Sequence, residues 1–71
     1  MEAEKEKLGV LLEHWIEHNK EHAEEFQKWA DKAKGSGEGN VGDAISKAAE
    51  QLEKANELLL KALQTLTAGK S

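Results

Sequence analysis

One glycine-rich interruption divides this chain into two long stretches whose apolar residues recur at helical spacing, and that pattern leaves few ways to fold. The interruption, Gly35-Ser36-Gly37-Glu38-Gly39-Asn40-Val41-Gly42, holds four of the six glycines, and both flanks are rich in Glu, Lys, Ala and Leu. Stepped at about 100° per residue, the first flank gathers Leu8, Leu11, Leu12, Trp15, Asn19, His22, Phe26, Trp29, Ala30 and Ala33 onto one stripe. The second gathers Val41, Ile45, Ala48, Leu52, Ala55, Asn56, Leu59, Ala62, Leu63 and Leu66. Proline is absent, so nothing in either stretch forces a kink. The pattern predicts an all-α fold, a two-helix antiparallel hairpin forming one domain over residues 1–71. Helix 1 is expected at about 3–34, the loop at 35–40 and helix 2 at about 41–67.

Gly35 is expected in the left-handed position that follows a helix, with Lys32 and Lys34 opposing the dipole in the last turn. Asn40 with Asp43 three residues later predicts an N-cap and an acidic first turn for helix 2. A turn centred near Gly37 pairs residues whose numbers sum to roughly 75. That register sets Phe26 and Trp29 against Ala44, Ile45, Ala48 and Ala49, and Trp15 against Leu59. It also makes Asn19 and Asn56 a buried polar pair able to satisfy each other's amides.

At 71 residues the chain is about half a typical domain, too small for the walled cleft of most enzymes, and no catalytic residue is expected. Cysteine is absent, so neither a disulfide nor a cysteine zinc site can brace so small a core. A second copy can. Val10, Ile16, Leu58 and Leu60 fall off the expected seam and form the predicted interface of a homodimer, a four-helix bundle of two hairpins. Docking of a helical protein partner is the other use of such a surface.

Ten basic against fourteen acidic residues give a net charge of −4, and every base is lysine. Without guanidinium groups and with an acidic balance, nucleic acid is not an expected partner. No apolar run approaches a membrane span, and the opening Met1-Glu2-Ala3-Glu4 lacks the order of a signal peptide, so a cytoplasmic location is expected.

All three histidines fall within nine residues, His14-Trp15-Ile16-Glu17-His18-Asn19-Lys20-Glu21-His22. Spacing of four puts neighbours on one helical face, close enough for two imidazoles to hold one ion, whereas His14 and His22 lie too far apart to share it. The candidate ligand sets are His18 and His22 with Glu25, or His14 and His18 with Glu21, suited to Zn, Ni, Co or Cu. In a dimer, two such stripes would supply four ligands. The same stretch spells H-x-x-E-H twice, the string of inverted zinc metallopeptidases, but those enzymes also need a remote third ligand and an enclosed cleft. The plainer alternative is structural, with His22 a core histidine inside the apolar stripe and His18 and His14 progressively nearer solvent.

The stretch Leu11-Leu12-Glu13-His14-Trp15-Ile16-Glu17-His18-Asn19-Lys20-Glu21-His22, continuing to Ala30, resembles small uncharacterised bacterial and archaeal helical domains with a His-Trp-Ile-x-His-Asn-x-x-His core. Ala55-Asn56-Glu57-Leu58-Leu59 echoes their second helix. The resemblance implies a two-helix fold with His14, His18, Asn19 and His22 as its defining polar positions, and no catalytic role. Three functions therefore compete: a self-associating or protein-binding hairpin, a transition-metal module built on the histidine stripe, and a designed helical sequence with no ligand.

Overall fold

The computed structural model describes residues 2–68, which form two helices, α1 (Glu2–Gly35) and α2 (Gly39–Ala68). They pack against each other as an antiparallel hairpin with no strand among the described residues. The 34 residues of α1, at about 1.5 Å each, account for the 52 Å length of a body only 14 by 13 Å across. Glu2 and Glu4 open α1 and Lys32 and Lys34 close it, each sign facing the helix end that attracts it. No helix among the described residues is long and apolar enough to cross a membrane.

The connection is three residues long, Ser36 to Glu38, shorter than the loop expected over 35–40. Gly35 remains helical, and Gly37, at φ 90°, takes the left-handed position instead. The reason lies in the carbonyls. With Gly37 there, its own N–H reaches the Lys34 carbonyl at 3.3 Å while the Glu38 N–H reaches the Ala33 carbonyl at 2.8 Å, which is the Schellman pattern of closing a helix. The Gly42 N–H donates to the Glu38 carbonyl at 2.9 Å, so α2 starts before Asn40, which lies inside the helix rather than capping it. The earlier start carries Asp43 beyond the first turn, where its carboxylate meets Lys34 Nζ across the hairpin at 3.6 Å.

Small residues build the seam. Ala23 and Ala30 on α1, and Gly42 and Ala49 on α2, are buried, each pair separated by one heptad, and Leu12 is buried further along. A Cβ placed on Gly42 would lie 2.7 Å from the Ala30 carbonyl oxygen and 2.6 Å from Lys34 Cγ, so here backbone rests on backbone. Further along, Asn56 Nδ2 donates to the Ile16 carbonyl at 2.9 Å. Asn56 thus stands opposite Ile16, three residues before Asn19, and the expected Asn19–Asn56 pair does not form. The tighter turn and the glycine contact together draw α2 to that register. Close approach also expels bulk: Trp15, Trp29, Leu8 and Val41 remain exposed, and Phe26, Ile45, Leu52, Leu59 and Leu66 are half-buried.

Candidate self-association face and histidine stripe

The two flanks of the seam differ in chemistry. On one, an open groove near the turn is lined by Phe26, Trp29, Val41, Ala44, Ile45 and Ala48, as the large-against-small expectation held for Ala44, Ile45 and Ala48. Towards the termini a second, mainly apolar groove is lined by Leu8, Leu12, Leu58, Ala62 and Leu66 together with Lys61 and Thr65. Leu11 and Trp15 share the helical phase of these α1 residues, and Leu11 lines a shallow groove with Leu8 beside Glu4, Lys5 and Lys7. The opposite flank is polar, lined by Lys20, Glu24, Gln27, Glu53 and Asn56 around Ala23 and Ala49. Ser46 Oγ receives Gln27 Nε2 at 3.4 Å and Lys34 Nζ at 3.5 Å on that side. The hairpin is therefore apolar along one long face and solvated along the other.

The interface residues expected from sequence are not brought together. Ile16 is half-buried and lends its carbonyl to Asn56, which puts it at the seam. Val10 precedes Glu17 and Glu24 by one and two heptads, and Leu60 follows Glu53 by one, so both belong to the polar flank. Only Leu58 lines the apolar face. The seam's demand for small residues explains the difference, because it shifts the packed side of each helix and leaves the larger apolar residues beside it.

The histidines form a continuous stack along α1. His14 and His18 lie nearly parallel with ring centroids 5.6 Å apart, His18 and His22 meet edge to face at 4.4 Å, and His22 lies 6.1 Å from Phe26. His22 Nδ1 is 3.9 Å from a Glu25 carboxylate oxygen, and 44% of its side chain is exposed, so it is not the core histidine of the plainer expectation. Glu21 is exposed. Among the described residues no group of three His, Asp or Glu side chains is arranged to hold an ion, so neither His18–His22–Glu25 nor His14–His18–Glu21 closes a site within one chain. Glu25 shares a helical face with His22 and lies beside that ring at 3.9 Å without forming a third ligand to a common point.

Among the described residues Asn56 carries the polar oddity of the seam. Its Nδ2 is bonded, but its Oδ1 is buried with no partner. Asn19, half-buried on α1, is out of register with it. Gly42 is the residue that sequence reasoning missed, placed in helix 2 but given no part in the seam although its heptad spacing to Ala49 mirrors Ala23 to Ala30.

An uncharacterized protein of Archaeoglobus fulgidus is 41% identical over 58 residues, spanning 82% of this chain and 92% of its own length. No solved structure matches. The family model of a domain of unknown function, DUF8180, matches residues 8–66, from the first leucine of the apolar face to its last. With the paired helices and the histidine-bearing first helix in hand, we assign the chain to the DUF8180 family.

Proposed function

We propose that this protein is a non-enzymatic, self-associating hairpin, two copies of which close their apolar faces into a four-helix bundle. The observation that carries this reading is surface left over. The chain exposes 5409 Å², whereas a compact folded protein of 7.8 kDa exposes about 4,400 Å². Its radius of gyration, 16.1 Å, exceeds the roughly 11 Å of a compact chain of this length. The surplus, on the order of 1,000 Å², matches the ~800 Å² per partner of a standard protein interface. Its chemistry matches too, since Trp29 is 55% exposed and Trp15 41% exposed on one continuous apolar side. Lone exposed leucines are ordinary, but two tryptophans lined up with leucines along the whole length of a molecule are not.

Sedimentation equilibrium on untagged protein tests this directly, with an expected mass about twice 7.8 kDa at low micromolar concentration. The double substitution Trp15→Lys, Trp29→Lys should yield monomer, while Leu60→Lys on the polar flank should leave the dimer intact. A fully helical monomer of the unsubstituted chain at that concentration would refute the reading. A dimer broken by Leu60→Lys and spared by the tryptophan changes would place the contact elsewhere.

A further inference from the structure

The apolar face has polar exceptions, and they are not scattered. On α1 the face runs from Leu8 to Trp29, and His18 and His22 lie within about one helical turn of its midpoint. Burying imidazoles between two apolar surfaces is costly unless each finds a partner. Within one chain the pair finds none that completes a site, since no third ligand converges on it.

We infer that His18 and His22 of two copies together bind one divalent transition ion, of the Zn(II) or Co(II) class, at the centre of the bundle. The inference rests on the self-association proposed above. When two hairpins overlap along their full faces about a twofold axis that crosses the long direction, α1 of one copy lies over α1 of the other. Leu11 of each then approaches Trp29 of its mate, and His18 of each approaches His22 of its mate. Four imidazoles converge at the axis, the number a closed tetrahedral site takes. The rings in one chain are already 4.4 Å apart, and a small rotation of each side chain opens them to the roughly 5 Å that two imidazoles on one tetrahedral ion need.

Glu25 supplies the supporting contact. Its carboxylate is 3.9 Å from His22 Nδ1, and shortening that approach into a hydrogen bond would keep the proton on Nδ1 and leave Nε2 to face the ion. Nitrogen-only ligands in a tetrahedral arrangement favour Zn(II) and Co(II) over the oxygen-seeking Mg(II) and Ca(II). His14 stacks on His18 from one turn nearer the N-terminus at 5.6 Å and takes no part.

Native mass spectrometry and visible spectroscopy of untagged protein titrated with Zn(II) and Co(II) test the site. The expected result is one ion per two chains and the intense visible bands of tetrahedral cobalt. His18→Ala and His22→Ala should each weaken uptake at least 100-fold, Glu25→Gln about 10- to 100-fold, and His14→Ala not at all. The Trp15→Lys, Trp29→Lys chain should stay helical and lose the tetrahedral bands, because its histidines no longer meet a second pair. A dimer that takes up no ion at micromolar concentration overturns the metal centre and leaves the self-association standing. A monomer with or without metal overturns both. One ion per chain, or uptake lost with His14→Ala, overturns the shared His18–His22 arrangement.

Discussion

Replacing Gly42 with alanine should destabilise the hairpin, against the usual trend for glycine within a helix. In an ordinary helix interior the change stabilises by about 0.8 to 1.0 kcal/mol, because glycine gives up more backbone freedom on folding. At Gly42 the new methyl would sit 2.7 Å from the Ala30 carbonyl oxygen and 2.6 Å from Lys34 Cγ. The lysine can swing away. The carbonyl belongs to the backbone of α1 and cannot, so the helices must part by several tenths of an ångström, which loosens Ala23 against Ala49 as well. Overpacking of a well-filled core costs about 1 to 3 kcal/mol, and a rigid opposing atom argues for the upper part of that range. Subtracting the propensity gain leaves a net loss of about 2 kcal/mol.

Gly9 provides the internal comparison. It lies inside α1, and a Cβ there would meet Leu66 Cδ2 at 3.7 Å, an ordinary van der Waals contact. Gly9→Ala should therefore stabilise by about 1 kcal/mol. Urea denaturation followed by circular dichroism, with all chains at one concentration because the proposed association would contribute to stability, would read both signs in one experiment. Equal stabilisation by the two substitutions would refute the claim that backbones meet at Gly42.

Gly37 holds φ at 90°, so Gly37→Ala should cost about 1 to 2 kcal/mol through strain alone, read as a lower urea midpoint; no change would show that the turn closes another way. Asn56→Leu removes one hydrogen bond to a carbonyl together with a buried oxygen that has no partner, and it should raise stability by about 1 kcal/mol in the same assay. Trp15 and Trp29 should shift their fluorescence to longer wavelength when the protein is diluted through the midpoint of the proposed dimer, and a spectrum independent of concentration would count against burial of either ring by a second copy.

The hairpin itself was legible because its signals are local and repeated: apolar residues at helical spacing on both sides of one glycine cluster, without proline. The details of the turn were not, since Gly35, Gly37 and Gly39 all lie near the end of the pattern, and carbonyl geometry decides which of them turns left-handed. Register failed for a related reason. It follows from how closely the helices approach, and the clue was the matched heptads Ala23–Ala30 and Gly42–Ala49 rather than the larger residues that dominate a hydrophobic stripe. That displacement moved Ile16 to the seam, separated Asn19 from Asn56, and left Val10 and Leu60 among charged neighbours. The histidine stack was legible as a row, because spacing of four survives any register. Its failure to close a site within one chain was not, because convergence depends on ring direction and not on spacing.

Carbonyl against α-carbon at Ala30 and Gly42 also gives the molecule a mechanical gradient. Near the turn the backbone of one rod rests on that of the other, with the Lys34 side chain beside the contact, so a sideways push on one is handed directly to the other. At the opposite extremity the helices meet through branched side chains, Leu66 reaching across to Gly9 beside the buried Leu12, and such chains can change rotamer and yield. The protein is thus a pair of tongs, rigid at the pivot and compliant at the tips, and any fitting to an uneven counterpart is borne by the tips.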